Sequence, residues 1–269
     1  MSANSMNSSS VSTEVAASEV VTAASTMVTV ASTIEFSANP GKINDAAGFM
    51  TVARDAVKQT EPGTKLWFGL KHFPVKELGQ ELTPEENNEK FGIIDFFVND
   101  EAKAAHFGGE VPKAVKANDE SEEPIVKGGL DAIVASAKGW KLLAAPKNEQ
   151  EKLEKVKFVS YIPFKAGSAD QVENVKGLLL AGLGLVQEHE SGTPFWAAVQ
   201  NQEDPEEFAI LDAFDDIEAV KAHFVEPAKV PTAVQGALKE NPELIKDGWE
   251  KGVVANIRVF RVLAVKADL

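Results

Sequence analysis

The chain of 269 residues contains no cysteine, which excludes disulfides, thiolate nucleophiles, cysteine-ligated zinc and iron–sulfur clusters. Basic residues are scarce: 27 Lys and Arg stand against 41 Asp and Glu, a formal charge of -14. Such a surface repels phosphate backbones and anionic headgroups, so neither nucleic acid nor a membrane surface is an expected partner. No apolar run approaches the ~20 residues that a spanning helix needs. The first basic side chain is Lys42, so the N-terminal stretch has neither the basic start of a secretory signal nor the arginines of a mitochondrial presequence, and the expected location is cytoplasmic. A Gly-rich phosphate loop, a His-x-x-x-His pair and a Gly-x-Ser-x-Gly elbow are all missing, which argues against nucleotide, zinc and serine-hydrolase chemistry, and no metal site is expected. There is a single tyrosine, Tyr161.

What the chain does have is an ordinary globular balance, 44% apolar and 25% charged, and a length that suits one large domain or two modest ones. An internal repeat decides between them. Phe91 to Phe107 (FGIIDFFVNDEAKAAHF) and Phe208 to Phe224 (FAILDAFDDIEAVKAHF) coincide at 9 of 17 positions without a gap. Upstream, Glu61-Pro62-Gly63-Thr64 and Trp67 match Glu190-Ser191-Gly192-Thr193 and Trp196. The offset is 129 at the upstream block and 117 at the downstream one; the loop Phe73 to Lys90 absorbs the difference. These matches predict a tail over residues 1–30, a first unit over 31–146, a charged linker over 147–156 and a second unit over 157–269.

Each unit reads as βαββαβ. In the first, Ile43, Ala46, Met50, Ala53 and Val57 recur at helical spacing, as do Val172, Val175, Leu179, Leu183 and Val186 in the second. Two crossovers on one face of a four-stranded antiparallel sheet make a ferredoxin-like unit. The strand at Phe91 to Phe97 is apolar on both parities, with Phe91, Ile93 and Phe97 on one side and Ile94 and Phe96 on the other. Its second face therefore needs a cover, which the other unit supplies. The expected fold is α+β: two tandem ferredoxin-like units forming an intramolecular dimeric α/β barrel.

The Glu-x-Gly turn and the pattern Asp95-x-Phe97 with Ala102 to His106, repeated as Asp212-x-Phe214 with Ala219 to His223, resemble the antibiotic biosynthesis monooxygenase family of the dimeric α/β barrel superfamily, twice over. The resemblance implies a monooxygenase that oxidises a small aromatic or quinol substrate with O2 and uses no cofactor. The chain departs from the resembled enzymes where they place Tyr, Trp, Asn and Arg: here stand Ile93 and Phe97, or Ile210 and Phe214, with Lys103 and Val220 on the helix. Alternatives are a non-catalytic barrel that binds a small apolar ligand or a protein partner, and haem binding. Further self-association of the pseudo-dimer is left open.

The candidate catalytic residues are Asp95, His106, Asp212 and His223. The histidines could move a proton, bind haem iron or anchor a helix. The aspartates, on strands apolar on both faces, could be bases of raised pKa or could pair with a backbone amide, Lys138 or Arg258. Candidate substrate-binding residues are Trp67, Phe97, Trp196, Phe214 and His72, with core packing as the alternative role for the tryptophans.

Overall fold

A computed structural model describes residues 27–80, 89–225 and 228–269. The predicted tail lies outside the described residues up to position 26, and its inner boundary moves: Val28 is buried, and Thr29 N–H donates to Phe97 O at 3.0 Å. The chain is thus already packed on the sheet two residues before β-strand geometry begins at Val30.

The first half contains β1 (Val30–Ser37), α1 (Ile43–Thr60), β2 (Thr64–His72), β3 (Lys90–Phe97), α2 (Asp100–Phe107), α3 (Glu110–Asp119), α4 (Gly129–Ser136) and β4 (Lys138–Leu142). A short β5 (Lys147–Asn148) and α5 (Gln150–Leu153) follow. The second half contains β6 (Phe158–Lys165), α6 (Val172–His189), β7 (Phe195–Asn201), β8 (Glu207–Phe214), α7 (Ile217–Phe224), α8 (Lys229–Glu240) and β9 (Arg258–Ala267). The helical periodicity of α1 buries Ala46, Met50, Ala53 and Val57. No described helix is long and apolar enough to cross a membrane.

Every strand pairing among the described residues is antiparallel. The order is β4-β1-β3-β2-β9-β6-β8-β7, and β7 pairs back onto β4, closing eight strands into a barrel. In each half the last strand lies beside the first, followed by the third and then the second. The two seams, β2 with β9 and β7 with β4, join the halves.

Strand alternation sorts the side chains into three cores. Leu66, Phe68, Leu70, Ile94 and Phe96 point into the barrel, where they meet Tyr161, Phe195, Val199, Leu211 and Phe260 from the other half. Trp67, Phe91 and Ile93 face the helices of the first half, and Trp196, Phe208 and Ile210 those of the second. Apolarity on both parities of β3 and β8 is thus explained: each strand is covered by helices on one side and by the opposite sheet on the other.

The charged stretch after Pro146 is not a free spacer. Lys147 and Asn148 pair with Trp196 and Phe195, and Leu153 is fully buried in the barrel core. Charge on Lys152, Glu154 and Lys155 masks two apolar anchors, Leu153 and Val156, which composition alone does not reveal. Helices α3 and α4 are likewise additional to the βαββαβ pattern.

Candidate functional site

The repeated motifs meet in space. Asn99 caps α2 by accepting Ala102 N–H at 2.9 Å, and Asp216 caps α7 in the same way through Ala219. The Glu-x-Gly-Thr turn lies directly against this first helical turn. A methyl group built on Gly63 would stand 2.6 Å from Ala102 Cβ, and one on Gly192 would stand 2.8 Å from Ala219 Cβ. Small residues at both places let turn and helix approach, and that approach brings Glu61 to His106 and Glu190 to His223.

The result is a buried polar chain present in both halves. His106 Nδ1 lies 2.5 Å from Glu61 Oε2, which also accepts Thr64 Oγ1 at 2.9 Å. His106 Nε2 faces Asp95 Oδ2 at 3.6 Å, and Ser32 Oγ donates to the same oxygen at 2.8 Å. In the second half the chain is Thr193, Glu190, His223, Asp212 and Ser160, with His223 Nδ1 2.6 Å from Glu190 Oε2 and His223 Nε2 3.6 Å from Asp212 Oδ2. The Nδ1 contact fixes the ring, and the 3.6 Å gap at Nε2 is too long for a hydrogen bond.

Burial governs the electrostatics. It pushes the Asp95 carboxyl up to about 6 and that of Asp212 up to about 7, against the opposing pull of the nearby imidazole and serine. Burial also disfavours charge on the histidines, but Asp95 and Glu61 overcome it at His106, and Glu190 and Asp212 at His223, so both imidazoles are raised. Each Asp–His pair accordingly retains a proton above the ordinary aspartate range. Asp95 Oδ1, Asp212 Oδ1, Trp67 Nε1 and Trp196 Nε1 have no hydrogen-bond partner among the described residues. Trp67 stands opposite Asp95 in the β2–β3 register and Trp196 opposite Asp212 in β7–β8.

The halves differ beside this chain. In the first, an apolar cavity of about 90 Å³ lies between the sheet and α1, α3 and α4; Ile34, Phe49, Ile93, Val115 and Ile133 are among its walls, and His106 is its one ionisable lining residue. The matching space in the second half is about 30 Å³, walled by Leu179, Trp196, Ile210 and Val234 among others, with no ionisable residue.

The sequence-derived candidates therefore separate. Asp95 and His106 come together, as do Asp212 and His223. Asp95 does not pair with Lys138 or Arg258, which instead reach Glu207 and Glu35; the last strand carries those cations at the barrel end, away from the helix-facing carboxylate. Phe97 and Phe214 are fully buried and lie against His106 and His223, with ring centroids 5.4 Å apart in each half. Trp67 packs over Gly69 and Met50, outside the cavity wall. His72 ends β2, lies against Phe260 with tilted rings 5.2 Å apart and borders a separate groove with Gln80 and Arg258. Glu61 and Glu190 are members of the buried polar chain that the sequence showed only as turn residues. Their repetition with the Gly, Thr and following Trp was the available signal. Ser32 and Ser160 carried none. No group of three or more described His, Asp or Glu residues has the geometry to hold a metal ion.

The sequence matches no protein-family model and no curated protein. Solved structures do match. A candidate monooxygenase from Fusobacterium nucleatum is 12% identical, with a TM-score of 0.66 over 90% of this chain and 97% of that one. Another from Lactobacillus acidophilus NCFM is 13% identical, with a TM-score of 0.57 over 90% and 97% of the two chains. An anthrone oxidase-like protein is 10% identical, with a TM-score of 0.55 over 89% and 93%. At such identities the likeness is one of architecture: the chain shares the α/β-barrel fold of these monooxygenase-like proteins.

Proposed function

We propose that the chain is a cofactor-free monooxygenase acting on a small aromatic or quinol molecule, with its site in the first half between the sheet and α1, α3 and α4. In this reading the chain is a duplicated ferredoxin-like unit, with copies over about 31–146 and 157–269; in the second the matching cavity is narrowed to about 30 Å³, and His223 borders an open groove of about 680 Å³ with Glu190, Lys221 and Lys229 instead. The observation that carries the proposal is the apolar cavity with His106 as its one ionisable wall residue. With Nδ1–H donated to Glu61, Nε2 is the basic nitrogen, and the nearby Asp95 carboxylate stabilises the imidazolium that forms when a proton arrives. A substrate deprotonated in this apolar pocket is electron-rich enough to reduce O2 itself; one oxygen atom enters the product and the other leaves as water.

Size limits the substrate. A dry cavity of about 150 Å³ accepts benzene, so in about 90 Å³ a single ring needs the α3–α4 wall to yield, and a three-ring anthrone far exceeds the space. Haem is larger still and does not fit the cavity beside His106.

A second reading, binding without catalysis, is favoured by one observation: the same polar chain persists in the second half, where the cavity is nearly filled. Oxygen uptake on single-ring hydroquinones separates the two. The oxygenase reading requires uptake that His106→Gln abolishes and His223→Gln leaves intact. Ligand-induced NMR shifts at Ile93 and Val115 without uptake establish the binding reading instead, and neither response overturns both.

A further inference from the structure

We infer that Lys266 and Lys147 are positioning residues, each holding the Glu–His chain of the opposite half of the molecule. Lys266 lies on β9, the last strand of the chain, opposite Trp67 across the first seam, and is 2% exposed. Its Nζ donates to the main-chain oxygens of Glu61 at 2.7 Å and Thr64 at 2.5 Å, and Asp268 Oδ2 lies 3.4 Å away. An ammonium group has three N–H donors, and three acceptors surround it. The two carbonyls bracket the turn whose glutamate holds His106.

Beside the second seam, where β5 also pairs with β7, a related contact holds one carbonyl of the matching turn. Lys147, on β5 and opposite Trp196, is 8% exposed; its Nζ donates to Glu190 O at 2.5 Å and lies 3.2 Å from Glu149 Oε1. Glu190 in turn holds His223. The wiring is therefore reciprocal: the second half's strand fixes the first half's glutamate, and the segment after the first half's last strand fixes the second's.

Burying an ammonium ion is costly, and an apolar side chain would fill either seam at lower cost. Burial lowers the Lys266 amine, while Asp268 and Glu61 oppose that and Lys65 adds to it. What these ammonium groups do, and an apolar side chain cannot, is hold the turn carbonyls, and through them orient the carboxylate that fixes the imidazole. Lys266 also places a positive charge near His106, within a set whose other charged members are Glu61 and Asp95. The inference stands on these contacts and does not depend on which reaction the cavity hosts.

NMR on the full chain tests it. In the wild type, lysine side-chain spectra should show protected, slowly exchanging ammonium groups that vanish singly in Lys266→Met and Lys147→Met. The chain has four histidines, so the far-downfield Nδ1 protons of His106 and His223 can be assigned with His106→Gln and His223→Gln. Lys266→Met should abolish the His106 signal and spare that of His223, and Lys147→Met should do the reverse. Absence of protected ammonium groups in the wild type overturns the inference. So does a variant that leaves both imidazole signals in place or weakens them equally. If one variant fails to fold, the reciprocal variant and the wild-type ammonium signals still decide. Loss of oxygen uptake or ligand binding with these NMR results intact would sink only the proposed function.

Discussion

Glu61 Oε2 lies 2.5 Å from His106 Nδ1, and both side chains are almost completely withdrawn from water. The contact joins the turn before β2 to the last turn of α2, so it fastens a helix to the sheet whatever else it does. Glu61→Ala leaves the imidazole and the Thr64 hydroxyl without their acceptor. The expected loss is about 2–4 kcal/mol of unfolding free energy, read from urea denaturation. A loss within about 0.5 kcal/mol, the range of ordinary surface changes, would mean that apolar packing alone holds α2.

The same chain makes stability depend on pH in a stated direction. The folded Asp95 and Asp212 carboxyls, raised by burial to about 6 and about 7, keep protons that an unfolded aspartate has already lost. Between the ordinary aspartate range and about pH 7 the native state therefore binds more protons, and stability falls as pH rises through that window. The raised histidines act in the same sense: their contribution is complete below the ordinary histidine pKa and is lost as pH rises through the folded one. Glu190, buried but lowered by His223 and Thr193, acts oppositely and loses its contribution as pH falls below the ordinary glutamate range. Asp95→Asn with Asp212→Asn should remove the aspartate share. Urea midpoints at pH 5, 6, 7 and 8 should show the double variant gaining on the wild type as pH rises; parallel profiles would contradict the assignment.

Much of this architecture was legible in the sequence because it depends on local pattern. Parity assigned Ile94 and Phe96 to one face of β3 and Ile93 to the other, and the structure places the first pair in the barrel and the latter under the helices. The repeat brought His106 and Asp95 into consideration together. What escaped depends on contacts between distant residues. The role of Glu61 is set by a histidine 45 positions away, and that of Lys266 by a turn more than 200 positions upstream. Leu153 and Val156 are two apolar residues in a charged stretch, too few for any periodicity to register. The difference between the two cavities arises from how side chains of similar apolarity interlock, which a pattern of polar and apolar positions does not encode.

That difference predicts opposite responses at matched positions. Ile93 and Ile210 are counterparts in the repeat, and each borders its own half's cavity. Ile93→Phe has about 90 Å³ to grow into and should change stability by less than about 1 kcal/mol, whereas Ile210→Phe meets about 30 Å³ and should cost about 1–3 kcal/mol. Ile93→Phe should also abolish ligand-induced NMR shifts in the first half. Equal costs in denaturant titrations would show that the two interiors are equivalent.

The close approach of turn to helix gives the most specific test. Gly63 has no left-handed backbone to accommodate, so its need for a bare Cα comes from Ala102 alone, whose Cβ would lie 2.6 Å from an added methyl. Neither atom sits at the end of a flexible side chain, so Gly63→Ala must push the turn off α2 and draw Glu61 away from His106. The expected cost is about 1–3 kcal/mol, together with loss of the His106 Nδ1 proton signal. Ala102→Gly alone should cost about 1 kcal/mol through helix propensity, yet combined with Gly63→Ala it should restore the signal and return part of the stability. A double-mutant cycle with a coupling of about 0.5 kcal/mol or more in that sense would show that the two small residues act as one contact, whereas strict additivity would place the cause of the glycine elsewhere.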